Sequence, residues 1–228
     1  MKFPLTAINS YFEEANFQKG LFSIWGDFGT GKTTFALQTA KNSTKNKKLV
    51  YFIYTKPNLP CEKIQIIFRD STEDLKLIKF IIPNNYEDLN NMIFNLEFFI
   101  LRNSKKNEEQ LKLIIIDSLT DLYRLELNKE IKEKNYTINY MLNQILANLL
   151  YLNNTYHIEV LIVNEKTQKK DKDNIIEVQS GGKVMEYWIF YNIKIERTNK
   201  LNERIFILSN RFDNKKSSFK AMLNEEGF

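Results

Sequence analysis

The chain has 228 residues, of which 43% are hydrophobic, and this length is typical of one α/β domain over residues 1–228. Its formal net charge of +5 and pI of about 9.0 weakly favour polyanionic partners, while the lack of an apolar run near ~18 residues argues against a membrane span. A single cysteine, Cys61, excludes an internal disulfide, and the opening segment MKFPLTAINS lacks the apolar stretch of a signal peptide, so a cytoplasmic protein is predicted.

Strand-like runs alternate with helix-like runs over the first two thirds of the sequence, a pattern typical of a parallel sheet with crossover helices. In chain order, the strand candidates are GLFSIWG, KLVYFIYT, LKLIKFII, LKLIIID and IEVLIVN. The helix candidates between them are KTTFALQTAKN, CEKIQIIFRD, residues 86–102 and residues 138–156. LKLIIID is apolar on both faces, so we expect it to lie near the centre of the sheet.

The last third of the chain has a different pattern. The segment EKTQKKDKDNIIEVQSGG carries many charges and a closing glycine pair, and it is predicted to be a loop. Three strand-like stretches follow with turn-sized gaps between them, namely WIFYNIKIER, ERIFILSNR and SSFKAMLN, and this close spacing predicts hairpins. The predicted fold class is therefore α/β, with a mostly parallel central sheet, helices on both faces and an antiparallel C-terminal edge.

The stretch GDFGTGKTTFAL fits the phosphate-binding pattern G-x-x-x-x-G-K-[ST]. Lys32 is expected to reach the β- and γ-phosphates and the Thr33 hydroxyl to bind Mg²⁺, with backbone N–H groups around the β-phosphate. A chance match occurs in on the order of one chain in a hundred of this size, but the strand before and the helix after the loop favour a real site. The predicted nucleotide-binding residues are Gly26, Asp27, Phe28, Gly29, Thr30, Gly31, Lys32, Thr33 and Thr34.

An acidic residue at the end of a buried strand is the second half of such a site, and LKLIIID supplies Asp117. Its carboxylate is expected to hold Mg²⁺ through water. The alternative is a helix cap, because Asp followed by SLT is a common helix start. The apolar residues that lead into this one carboxylate favour the metal role.

The order of these motifs resembles the RecA superfamily, and most closely the archaeal RadB proteins, which look like the ATPase core of the RadA recombinase without its N-terminal helical domain. IIIDSLTDLYRLEL is similar to the family's segment after the metal aspartate, and IEVLIVNEKTQ to the strand that enters its second DNA-binding loop. SGGKVMEYW resembles the element that closes that loop, and NRFDNKKSSFKAMLNEEGF the family's C-terminal end. The resemblance covers nearly the whole chain and implies a RecA-like P-loop fold.

The same resemblance implies an accessory factor in homologous recombination and DNA repair, with ATP and Mg²⁺ as cofactors. The partners it implies are single-stranded or recombination-intermediate DNA and a recombinase of the RadA type, and a homo-oligomer is left open. One alternative is a KaiC-like regulatory ATPase that acts through protein partners. Another is a nucleotide-stabilised structural subunit with no DNA role.

Two positions depart from the family pattern. Where the family has a glutamate that activates the attacking water, this sequence has Lys56, and a protonated lysine cannot take a proton from water. Where the family usually has a glutamine that senses the γ-phosphate, this sequence has Glu165. We expect Lys56 and Glu165 to form an ion pair in a site that binds ATP and hydrolyses it slowly. Two alternatives are Glu165 as a displaced general base and a shifted alignment in which Glu62 is the catalytic residue.

The resemblance places DNA contacts in two loops. The charged segment after the fifth strand offers four lysines that would neutralise backbone phosphates, namely Lys166, Lys169, Lys170 and Lys172. The alternative is a solvated loop, because acidic residues dilute the cluster and it has no aromatic side chain to stack on bases. The other loop, ELNKEIKEKN, follows Arg124 and its charges are balanced, so Arg124 is the single candidate there.

Overall fold

The computed structural model describes residues 1–14, 19–45, 47–104, 110–127, 132–171, 174–212 and 216–228. The strands in these ranges are β1 (Leu21–Gly26), β2 (Leu49–Tyr54), β3 (Ile78–Ile81), β4 (Leu111–Asp117), β5 (Glu159–Asp171), β6 (Asn174–Gln179), β7 (Ile189–Arg197), β8 (Glu203–Asn210) and β9 (Lys216–Met222). The helices are α1 (Thr6–Glu14), α2 (Lys32–Thr44), α3 (Cys61–Phe68), α4 (Thr72–Lys76), α5 (Tyr86–Ser104), α6 (Leu119–Glu126), α7 (Lys132–Tyr156) and α8 (Gly182–Trp188).

The strands form one sheet in the order β3-β2-β4-β5-β1-β7-β8-β9, and β6 pairs with β5 outside this path. The six strands from β3 to β7 in this order run parallel, β8 pairs antiparallel with β7, and β9 pairs antiparallel with β8. The predicted parallel sheet with an antiparallel C-terminal edge is therefore confirmed. Because β5 lies between β4 and β1, the carboxyl ends of these three strands meet at one edge of the sheet.

The core is divided between the two faces of the sheet. Along β2, Val50 and Phe52 pack on the face that also carries Phe35 of α2, while Tyr51 and Ile53 pack on the opposite face against residues of α5 and α7. This alternation is the period of two expected of a strand, and it makes β2 apolar on both sides. The predicted helices on both faces are confirmed.

The loop predicted over residues 165–182 is wrong for much of its length. β5 continues through Asp171 and turns back as β6, with Lys166 opposite Gln179 in antiparallel register. This hairpin extends beyond the parallel sheet, so its strands need no continuous apolar face and the many charges do not prevent pairing. The diagonal contact between Lys166 Nζ and Glu177 Oε1, at 2.6 Å, shows oppositely charged residues meeting across the two strands.

Smaller differences concern element ends. The third strand is shorter than predicted, because residues Thr72–Lys76 form α4 and only Ile78–Ile81 is extended. α7 begins at Lys132, earlier than the predicted position 138, and Trp188 closes α8 instead of opening β7. In the part of the chain that the structure describes, no helix has both the length and the apolar character needed to cross a membrane.

Candidate functional site

The turn between β1 and α2 has the geometry of an anion site. β1 ends at Gly26, and α2 begins at Lys32 directly after Gly31, whose φ is 99°. A Cβ atom at Gly31 would lie 2.8 Å from the Phe228 ring, and L side chains rarely adopt this φ, so glycine is required there. The first N–H groups of a helix have no partner inside it, and together with the helix dipole they attract phosphate.

Neighbouring elements hold the loop in place. The Thr30 hydroxyl donates to the Asp27 carbonyl at 2.9 Å, and Arg197 Nη2 on β7 donates to the Phe28 carbonyl at 2.9 Å. On the other side, Lys166 Nζ of β5 lies 2.9 Å from Asp27 Oδ2. The Phe28 side chain is 85% exposed, and its carbonyl is the part of the residue that Arg197 binds.

Lys32 lies inside the loop that it is predicted to serve. Its ammonium group donates to the carbonyls of Gly26 at 3.0 Å and Asp27 at 2.7 Å, and to Glu165 Oε2 at 2.8 Å. A lysine has three N–H donors, so these three acceptors use all of them. The contact with Glu165 follows from the parallel register, which places Gly26 at the end of β1 opposite Glu165 on β5.

Thr33 and Asp117 lie together, as predicted for a metal site. The Thr33 hydroxyl donates to Asp117 Oδ2 at 2.6 Å, and the Asp117 side chain is fully buried. The carboxylate faces Thr33 instead of capping α6, whose N-cap is Ser118, so the structure does not support the helix-cap alternative. A hydroxyl and a carboxylate are oxygen ligands of the kind that Mg²⁺ prefers when phosphates and water complete its shell. These two residues therefore fit a magnesium ion.

Lys56 reaches this site from the end of β2. Its Nζ lies 3.0 Å from Asp117 Oδ1 and 3.8 Å from Glu165 Oε1, so the predicted ion pair with Glu165 is present but Asp117 is the closer partner. Burial acts to lower the pKa of Lys56, but the carboxylates of Asp117 and Glu165 outweigh it and the pKa lies above its ordinary value. Lys56 thus carries a positive charge at neutral pH.

The alternative that assigned the catalytic role to Glu62 gains no support. Glu62 lies in the first turn of α3 with an exposed side chain, whereas Lys56 contacts the buried carboxylate of Asp117. The alignment of Lys56 with the end of β2 is consistent with the sheet register, because Tyr54 lies opposite Asp117. Lys56 is thus the residue that the strand end presents to the site.

Sequence reasoning missed two buried residues that position the charged ones. Thr55 donates to the Ser118 carbonyl at 2.7 Å and accepts from the Ser118 N–H at 2.9 Å, which joins the ends of β2 and β4. Asn164 donates to the Ser180 carbonyl at 2.7 Å and accepts from the Glu165 N–H at 3.0 Å. Each is a polar residue that ends an apolar strand run and directly precedes Lys56 or Glu165, and this pattern was the available signal.

The predicted DNA-binding lysines have different surroundings. Lys166 contacts Glu177 at 2.6 Å and Asp27 at 2.9 Å, and its hydrogen bonds to these two carboxylates raise its pKa. Lys169 lies 3.9 Å from Glu186. The side chain of Lys170 and the whole of Lys172 lie outside the described residues.

Arg124 lies near the base of the same hairpin. It lines a cavity of about 710 Å³ together with Lys56, and a second one of about 400 Å³ together with Thr167 and Lys183. The structure therefore brings Arg124 close to both the end of β2 and the β5–β6 hairpin. Its side chain is exposed and belongs to α6, so it can meet a ligand from solvent.

The sequence of this chain is similar to those of known proteins. The Rad51 family model matches residues 16–205. The chain is 34% identical to the DNA repair and recombination protein RadB of Methanococcus maripaludis strain C5 over 187 residues, which is 82% of this chain and 80% of that protein. It is 31% identical to RadB of Methanocaldococcus jannaschii over 221 residues, covering 93% and 94% of the two chains. It is 30% identical to RadB of Archaeoglobus fulgidus over 198 residues, covering 86% and 83%.

These matches agree with the mixed α/β fold and its mostly parallel central sheet, and they do not support the KaiC-like alternative. The family model covers most of the chain, and the three RadB proteins match it over 80%, 94% and 83% of their own length. This chain therefore belongs to the Rad51 family, and within it to the archaeal RadB proteins.

Proposed function

We propose that this chain binds ATP with Mg²⁺, hydrolyses it slowly, and acts as a RadB-like accessory factor in homologous recombination and DNA repair. The phosphate loop and the Thr33–Asp117 pair support the nucleotide and the metal. The names of the relatives, which describe DNA repair and recombination, support the process.

One observation carries the slow hydrolysis: the ammonium of Lys56 lies 3.0 Å from Asp117 at the end of β2. A general base must accept a proton from the attacking water, and a protonated lysine has no free lone pair for it. The two carboxylates nearby are engaged, since Asp117 accepts from Thr33 and Glu165 accepts from Lys32. Lys56, the residue that the end of β2 presents to the site, therefore supplies no general base.

The test measures ATP binding and ATP turnover on the same preparation. We expect the wild-type chain to bind ATP with Mg²⁺ and to turn it over at a rate close to that of a Lys32→Ala variant, which loses the phosphate-binding ammonium. Tight binding with brisk turnover would overturn the slow-hydrolysis proposal. Absence of ATP binding in the wild-type chain would overturn the nucleotide site itself.

The accessory role requires partners. We propose that single-stranded or recombination-intermediate DNA contacts Arg124 and the β5–β6 hairpin, that a recombinase of the RadA type is the protein partner, and that the protein acts in the cytoplasm, alone or as a homo-oligomer. A mobility-shift assay with single-stranded DNA at two salt concentrations, with and without ATP, tests the DNA contact. We expect binding that weakens steeply with salt, because phosphate contacts release counterions. No shift under any of these conditions would contradict it and favour a protein partner alone.

A further inference from the structure

Lys56 occupies an unusual place for a cation. Its Nζ lies 3.0 Å from Oδ1 of Asp117, while Oδ2 of the same carboxylate accepts from Thr33. Asp117 is fully buried, and the Lys56 side chain is only 22% exposed. Thr33 and Asp117 are the two residues that fit Mg²⁺. Lys56 therefore places a positive charge of the chain itself against the carboxylate that would bind the metal.

This matters because a buried carboxylate beside a phosphate-binding loop repels the phosphates unless a cation neutralises it. A divalent ion normally supplies that charge, and nucleotide binding then depends on the ion. Here the Lys56 ammonium is in contact with Asp117, and Thr55 fixes the end of β2 from which it projects by two hydrogen bonds to Ser118.

Two further charges of the site, on Lys32 and Glu165, balance each other. Lys32 pairs with Glu165 at 2.8 Å, and Lys56 lies 3.8 Å from the other oxygen of Glu165. Two ammonium groups and two carboxylates give this group of four a net charge of zero. When a phosphate takes Lys32, Glu165 keeps Lys56 as a neighbouring cation, so neither carboxylate is left without a positive partner.

We infer that Lys56 is a built-in counter-ion for Asp117, which lets the phosphate loop bind a nucleoside triphosphate without a divalent cation. The inference rests on the ATP binding proposed above and adds that this binding is largely independent of the metal. Mg²⁺ would share Asp117 with Lys56 and contribute little further affinity.

The experiment compares ATP binding by titration calorimetry in Mg²⁺ and in EDTA. We expect the dissociation constant of the wild-type chain to differ by less than about threefold between the two conditions. Lys56→Met should lose ~tenfold or more in EDTA and much less in Mg²⁺, because the ion then replaces the missing ammonium. Lys56→Arg keeps the charge and should behave like the wild type.

Lys194→Met is the matched control. Lys194 is also a partly buried lysine between two carboxylates, 2.9 Å from Glu177 and 2.5 Å from Glu196, and 17% exposed. It lies over the Trp25 ring and contacts neither Asp117 nor Glu165. Its loss should leave the ratio of the two dissociation constants at the wild-type value, and circular dichroism checks that every variant is folded.

The outcomes separate this inference from the proposed function. If the wild-type chain does not bind ATP even in Mg²⁺, the proposed function fails. If it binds in Mg²⁺ and loses more than about threefold in EDTA, only the counter-ion inference fails. Equal weakening of folded Lys56→Met in both conditions would also overturn the inference, because it would assign Lys56 a role that the ion cannot replace.

Discussion

Glu165 on β5 holds Lys32 of the phosphate loop, with Oε2 2.8 Å from Nζ and both side chains largely buried. The two residues are 133 positions apart and meet because β1 and β5 are parallel neighbours in register. Phosphate therefore competes with a carboxylate of the protein for the same ammonium. This competition sets the direction of the first prediction.

Glu165→Gln should strengthen ATP binding by about threefold to tenfold, because an amide competes less well than a carboxylate for the Lys32 ammonium. Titration calorimetry with ATP in Mg²⁺ measures the change. Glu203→Gln is the control, since Glu203 is similarly buried and paired with Lys220 at 3.0 Å on the antiparallel edge. Weaker binding by Glu165→Gln would mean that the carboxylate assists the nucleotide.

The double variant Lys56→Glu with Glu165→Gln should raise ATP turnover by about tenfold or more, since it adds a carboxylate able to act as a general base. The single Lys56→Glu change would place a third carboxylate beside Asp117 and Glu165, so the second substitution removes that repulsion. Steady-state phosphate release is the measurement. Glu165→Gln alone separates the two effects: if it abolishes the residual wild-type turnover, Glu165 is the general base and the slow-site explanation is wrong.

Thr33→Val should reduce the binding of Mg²⁺ together with ATP, because it removes the hydroxyl that donates to Asp117 at 2.6 Å. We expect the Mg²⁺ concentration that half-saturates the ATP-loaded chain, measured by its competition with Mn²⁺ followed by electron paramagnetic resonance, to rise by about threefold or more. Thr39→Val on the same helix is the control, because its buried hydroxyl donates to the Phe35 carbonyl away from the loop. An unchanged Mg²⁺ midpoint in Thr33→Val would contradict the metal assignment.

Arg124→Ala should weaken single-stranded DNA binding and lower the slope of log affinity against log salt by about 0.7, as expected for one lost phosphate contact. Lys166→Met should have a smaller effect, because its ammonium is already held by Asp27 and Glu177. Fluorescence anisotropy of labelled oligonucleotide across a salt series measures both. If Lys166→Met loses as much affinity and slope as Arg124→Ala, the ion pairs of Lys166 open when DNA binds.

Thr55→Val should lower the free energy of unfolding by about 1–3 kcal/mol, because it removes a buried hydroxyl that both donates to and accepts from Ser118. Thr55→Ser keeps the hydroxyl and should recover most of the loss. Denaturant unfolding followed by circular dichroism gives both values. Thr55→Val keeps the methyl group that Thr55→Ser loses, so equal losses in the two variants would contradict the expectation that the hydrogen bonds contribute more stability than the methyl group.

The sheet was predictable because its strands carry local patterns. β4 is found over Leu111–Asp117 as predicted, since an apolar run that ends in one acidic residue marks both its length and its end. The hairpins of the C-terminal edge were predictable from turn-sized gaps. The β5–β6 hairpin was not, because Lys166 and Glu177 stabilise it by pairing across strands, which a count of charges along one segment does not reveal.

The sequence predicted which residues form the site, but it did not predict which of them are nearest to each other. The spacing of the motif identified Lys32 and Thr33, and the end of β4 identified Asp117. The sequence also indicated that Lys56 and Glu165 pair, but it did not show that Asp117 is the nearer partner of Lys56, or that Lys32 is the nearer partner of Glu165. Those preferences depend on strand order and register, which bring the ends of β1, β2, β4 and β5 together from distant parts of the chain.

Two consecutive residues of the phosphate loop are bound by the two strands that flank β1 in the sheet. Asp27 is bound by Lys166 at the root of the β5–β6 hairpin, and Phe28 is bound through its carbonyl by Arg197 at the end of β7. A molecule that pulls the hairpin outward must break the first tie, and one that displaces the end of β7 must break the second. Nucleotide affinity should therefore change when a bound molecule displaces either the β5–β6 hairpin or the end of β7, because each of these surfaces contacts the phosphate loop.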